Sequence, residues 1–170
     1  MEWILVAQLF GLCGFIFSVT ATQQETKNKI LLHNGLANFL SGIQYLCLGA
    51  YSGCVATFIA TGRNIVFAKY KDNVPLYVLI IYLILAIGLN ITNITDIISV
   101  IPVLNICTYG IAIYQNDIKL LKAIVILNGT LGMFYDISSL AFVGALNQLV
   151  QVISGIIGYI RYKNRQKVYV

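Results

Sequence analysis

His33, Arg63 and Asp136 are the ionisable side chains that stand inside long apolar runs of this chain. A charge held in such a run costs a few kcal/mol in lipid, so it marks a pathway, a relay or a partner. Arg63 follows Val55 by eight residues, about 12 Å of helix. Asp136 precedes Phe142 by six residues, about 9 Å. Similar depths from one face predict that the two pair, either as a gate in a solute path or as a buried ion pair that fixes packing. Polar groups recur around them at helical spacing. Asn34, Asn38, Ser41 and Tyr45 share one face, and Asn128, Gly132, Tyr135 and Ser139 share another. Two such faces turned towards each other would line a path for a small polar solute (a sugar, a nucleoside or a vitamin-like molecule), because amides and hydroxyls donate and accept without fixed charge. The plainer reading is interhelical glue, with Gly35, Gly42, Gly129 and Gly132 allowing close approach. His33 lies about 100° round the helix from Asn34 and reads as a packed or interfacial ring or, less simply, as a proton relay. Asn64 can assist Arg63 in either role, and Gln148, Gln151 and Ser154 add a polar stripe near the C-terminus.

The same inventory points away from catalysis. One histidine cannot form a two-histidine metal pair. Glycine-rich phosphate loops, nucleophile elbows and paired carboxylates are missing from the sequence. The expectation is a protein that is not an enzyme and takes no metal or cofactor. Cys13, Cys47, Cys54 and Cys107 read as small buried hydrophobes, with Cys47 and Cys54 the one pair placed to bridge.

Elements that place these residues must cross a membrane. The 170 residues are 59% hydrophobic and 10% charged, with mean hydropathy +0.84. A soluble domain carries about a quarter charged residues. A span needs roughly 17–25 mostly apolar residues. Seven stretches qualify: Trp3–Thr20, Ile30–Leu48, Gly53–Ala68, Val74–Ile91, Ile97–Tyr114, Leu120–Phe142 and Leu146–Ile160, the third and seventh being short. The polar run Asn90–Asp96 divides what is otherwise one overlong stretch.

Charge supports that count. Lys27 and Lys29, Lys69 and Lys71, Lys119 and Lys122, and finally Arg161, Lys163, Arg165 and Lys167 fall on one face if the chain crosses seven times. The positive-inside rule makes that face cytoplasmic, with the N-terminus outside and the C-terminus inside. The net charge of +5 then belongs to topology and anionic lipid, and no nucleic-acid partner is expected.

Offset by 94 residues the chain overlays itself weakly, with Asn34-Gly35 on Asn128-Gly129 and Cys13 on Cys107. The expected architecture is all-α: residues 1–72 form one three-helix repeat, 73–94 a linker span, 95–163 a second repeat and 164–170 a basic tail. Three spans invert the chain and a linker restores it, so the repeats are parallel. This 3+1+3 plan resembles that of the SWEET-type facilitators in topology, although their Pro-Gln motif is missing here. Trp3 with Ala7-Gln8-Leu9-Phe10-Gly11, Leu46-Cys47-Leu48-Gly49-Ala50 with Ser52-Gly53, and Arg63-Asn64 are short motifs spread along the first half. On them, and over nearly the whole chain, the sequence resembles the YgjV-type bacterial inner-membrane proteins. The resemblance implies a small multi-pass protein of the bacterial plasma membrane and supplies no catalytic residues. Two functions fit: a small-solute transporter with its path between the repeats, and a non-transporting scaffold or assembly partner. The oligomeric state stays open.

Overall fold

The computed structural model describes residues 2–22, 24, 27–70, 74–115 and 118–168. Within them lie seven α-helices and no strand: α1 (Glu2–Thr22), α2 (Lys27–Cys47), α3 (Tyr51–Tyr70), α4 (Leu76–Gly88), α5 (Ile101–Gln115), α6 (Ile118–Ser138) and α7 (Phe142–Val168). Pro75, lacking an N–H, sits at the N-cap of α4, where none is needed. The break expected at Asn90–Asp96 is real. Asn90 Nδ2 donates to the Ala86 carbonyl at 2.9 Å, closing α4, and Asp96 Oδ1 accepts from Ser99 N–H at 2.7 Å ahead of α5.

Glu2–Ala21, Leu76–Asn93 and Ile98–Gln115 are long and apolar enough to cross a membrane, and Ala123–Ser138 and Phe142–Ile157 are apolar but shorter. The helices α2 and α3 have the length, 21 and 20 residues, but carry more polar groups. Neither stretch expected to be short is so. Helix α3 takes in Tyr51 and Ser52 before Gly53 and continues to Tyr70. Helix α7 starts at Phe142 and runs 27 residues, through the basic segment to Val168. Lysine, arginine and glutamine are good helix formers, and cations suit a helix C-terminus. Of the cations assigned to one face, Lys71 and the side chains of Lys27, Lys119, Lys122, Arg161, Lys163, Arg165 and Lys167 lie outside the described residues.

The links α2–α3 and α6–α7 are the same turn built twice. At the first, Ala50 N–H donates to Tyr45 O at 2.9 Å and Gly49 N–H to Leu46 O at 3.2 Å. At the second, Ala141 N–H donates to Asp136 O at 2.8 Å and Leu140 N–H to Ile137 O at 3.2 Å. Both are Schellman turns with a left-handed residue after the helix, Gly49 at φ 72° and Leu140 at φ 59°. The offset between them is 91 residues, not the 94 suggested by the Asn-Gly pairs. Two further contacts recur at an offset of 91. A Cβ on Gly14 would lie 3.1 Å from Ala37 O, and the corresponding Asn105 donates through Nδ2 to Asn128 O at 3.2 Å. Gln8 accepts from Val143 N–H at 3.1 Å, and the corresponding Ser99 carbonyl accepts from Ser52 Oγ at 2.5 Å. A slip of three residues turns a helix by only about 60°, so either register puts similar faces together.

Helix α2 packs between α1 and α3, and α6 between α5 and α7. The two triplets meet where α1 touches α7 and α3 touches α5, and α4 lies against α5 and α3. Polarity is inverted relative to a soluble protein. Trp3, Leu5, Leu9 and Ile16 of α1 and Ile81, Ile84 and Ile87 of α4 are all more than half exposed. The largest fully buried side chains are Phe67, Gln44, Asn64, Asn90 and Asp136, four of them polar. Apolar side chains facing outwards and amides facing inwards need lipid as the surrounding solvent. The buried apolar positions are rich in alanine, which lets helix backbones approach.

Candidate functional site

Between the triplets lies a cavity of about 500 Å³. It falls in the size range of small-molecule sites, roughly 300–1,000 Å³. Helix α2 presents Asn34, Asn38 and Ser41 to it, at one-turn intervals. None of these three makes a hydrogen bond to another described side chain or backbone group, so their polar atoms are left for whatever fills the cavity. Asn128 and Tyr135 of α6 line the opposite wall but are already engaged. Asn128 Nδ2 donates to Asn105 O at 3.0 Å, and its Oδ1 accepts from Thr108 Oγ1 at 3.0 Å, fastening α6 to α5. Tyr135 OH accepts Gly53 N–H at 2.8 Å, capping the start of α3, and its ring meets Tyr45 edge-on at 5.6 Å. The second polar face therefore combines glue with lining. Ser139 lies outside the cavity, because α6 ends at Ser138 and Ser139 belongs to the following turn.

Arg63 and Asp136 do not pair. Asp136 is fully buried and accepts a hydrogen bond from Tyr45 OH through Oδ1; Oδ2 has no partner of hydrogen-bond geometry. Arg63, 5% exposed, donates from Nε and Nη2 to Asn64 Oδ1 at 3.2 and 2.9 Å and from Nη1 to Tyr82 OH at 3.3 Å. Its guanidinium carbon lies 5.5 Å from the Tyr82 ring centre and 5.0 Å from that of Tyr109. The expected pairing fails because the true helix ends shift both depths. Arg63 is twelve residues into α3, about 18 Å, whereas Asp136 is two residues from the end of α6, about 3 Å.

Tyr82 passes the chain of bonds onwards by donating to Ile106 O at 2.6 Å, so Arg63 ties α3 to both α4 and α5. Asn64, 1% exposed, stands on the cavity wall beside Arg63. His33 is not part of the cavity. Its Nδ1 lies 2.8 Å from Lys29 O one turn back, and its ring neighbours Phe17 at 6.3 Å. Sequence reasoning missed Asn105, Tyr109 and Asn147, which line the cavity with Gln148, Gln151 and Ser154. Asn105 and Tyr109 stand one turn apart on α5, the same spacing that marked α2. All four cysteines, including Cys47 and Cys54, are free.

A family model described as bacterial inner membrane protein, Imp-YgjV, matches residues 5–166. No curated protein and no solved structure matches the chain. The chain belongs to the Imp-YgjV family of bacterial inner membrane proteins.

Proposed function

We propose that this inner-membrane protein is a facilitator or transporter of small polar solutes, not an enzyme, with its path between two parallel three-helix repeats. The observation that carries the reading is the cavity, which draws unengaged polar groups from α2 and further polar groups from α5, α6 and α7. Glue alone leaves no reason for Asn34, Asn38 and Ser41 to face the cavity and not a neighbouring helix. The repeats are α1–α3 and α5–α7, joined by α4. Support comes from the twin turns and from contacts that recur at an offset of 91. Tyr45 and Asp136 are equivalent in that register and bond to each other. Two equivalent positions touch where a two-fold axis passes between them, and parallel repeats put that axis along the membrane normal. The N-terminus is outside and the C-terminus cytoplasmic, as the loop cations require. Nothing in the chain resembles an ATPase motif, so movement is downhill or ion-coupled.

Reconstituted proteoliposomes test the reading. Uptake of at least one member of a radiolabelled panel of small polar solutes should exceed that of empty vesicles. Changing Asn34, Asn38 and Ser41 together to alanine should abolish the excess. A panel that moves no faster than into empty vesicles would make the cavity a packing defect.

A further inference from the structure

Among the described residues Arg63 is the one charged side chain on the cavity wall. Its hydrogen-bond partners are neutral: an amide oxygen of Asn64 and the hydroxyl of Tyr82. A guanidinium carries five N–H donors. Three are engaged, which leaves one on each terminal nitrogen. The buried carboxylate nearest in kind, Asp136, is bonded to Tyr45, lies off the cavity wall and sits at the other depth. A guanidinium buried this far normally has an anion to answer it. A guanidinium with donors free on both terminal nitrogens suits a carboxylate better than any neutral group.

The opposite side of the cavity differs in kind. In the 91-residue register the positions equivalent to Arg63, Asn64 and Tyr109 are Ser154, Gly155 and Ser18, and all three also line the cavity. One side offers a cation flanked by an amide and an aromatic ring. The other offers small hydroxyls and space. We propose that the cavity takes small organic anions, their carboxylate held at Arg63 and Asn64 and their remaining body against Ser18, Ser154 and Gly155. This rests on the transport reading above and narrows its substrate class from polar solutes in general to carboxylic acids.

Charge-selective labelling separates the two ideas. Ser154→Cys is placed in a full-length chain whose native cysteines are changed to alanine, reconstituted in vesicles. Three thiosulfonate reagents of small size are compared, one neutral, one bearing a sulfonate and one bearing a trimethylammonium, with rates normalised to a free thiol. A sphere of the cavity's volume is about 10 Å across. A unit charge at that distance favours an anion over a cation by about fourfold in a water-like dielectric, and by about 300-fold at an effective dielectric of about 20. The expected result is a sulfonate preference of at least about fourfold that collapses towards unity in Arg63→Gln, while the neutral reagent reacts equally in both. No reaction with the neutral reagent would mean that small solutes do not reach the cavity, and both readings fall. Reaction with the neutral reagent but no sulfonate preference, or a preference indifferent to Arg63→Gln, overturns the anion proposal and leaves a neutral-solute path standing. If Arg63→Gln does not fold, protection of the introduced thiol with Arg63 intact decides. Acetate, lactate or nicotinate should slow labelling where its amide does not, and equal protection by acid and amide refutes the proposal.

Discussion

A pair of double-mutant cycles distinguishes the contacts that exist from the one that depth arithmetic suggested. Tyr45 and Asp136 are 7% and 0% exposed and share a hydrogen bond. Tyr45→Phe keeps the ring against Tyr135 and deletes only the hydroxyl. It leaves Asp136 Oδ1 without its hydroxyl donor. A hydrogen bond to a charged group is worth about 1.5–3 kcal/mol in soluble proteins. Interhelical bonds in lipid average about 0.6 and reach about 1.7 kcal/mol. The burial of both partners places the coupling of Tyr45→Phe with Asp136→Ala near the top of the lipid range, at roughly 1–2 kcal/mol. Arg63→Ala with Asp136→Ala should instead be additive within about 0.5 kcal/mol, because each residue has other partners. The assay is reversible unfolding of the purified protein in mixed micelles, titrated with sodium dodecyl sulfate. Coupling between Arg63 and Asp136 above that limit, or none between Tyr45 and Asp136, would refute the assignment of partners on which the cavity description rests.

The same unfolding assay reads the two Schellman turns. Gly49→Ala should cost about 1 kcal/mol for its left-handed φ, although a Cβ there meets nothing within 4 Å. Leu140→Gly should be neutral or stabilising by up to about 1 kcal/mol, and similar losses at both sites would show that backbone conformation does not decide the effect. A Cβ on Gly110 would collide with the Tyr82 ring, so Gly110→Ala should cost roughly 1–3 kcal/mol, seen as a lower unfolding midpoint. Protease or antibody access to terminal tags in oriented membranes should find the N-terminus outside and the C-terminus inside, and both tags reached from one side would exclude an odd number of crossings.

The number of helices was legible in the sequence because apolar runs and their breaks are local. Asn90–Asp96 and the turn near Gly49 announce themselves by residue type. Helix ends were less legible. Tyr51 and Ser52 precede the apolar run of α3, and Lys163–Val168 follows that of α7, yet both segments are helical. Hydropathy reports where a chain meets lipid, not where its backbone stops coiling. That error of a few residues was enough to place Arg63 and Asp136 at one depth. Asn34, Asn38 and Ser41 were readable as a face because α2 is regular through them. The partners of Arg63 were not readable, since Tyr82 and Tyr109 come from helices whose neighbours the sequence does not specify.

In the two-repeat arrangement proposed above, the 91-residue register also accounts for the weakness of the internal sequence match. In a dimer of two identical three-helix chains, positions that touch across the axis are the same residue twice. Two tyrosines there can share one hydrogen bond, whereas two aspartates repel. Joining the halves in one chain removes that constraint, and one member can donate while the other accepts, as Tyr45 and Asp136 do. The same freedom shows at Arg63 and Ser154, where one side keeps the charge and the other the room. At each pair the two residues are useful because they differ. Complementarity across the axis erodes identity along the sequence, while the backbone demands of the turns keep Ala50-x-x-Gly53 and Ala141-x-x-Gly144 in step.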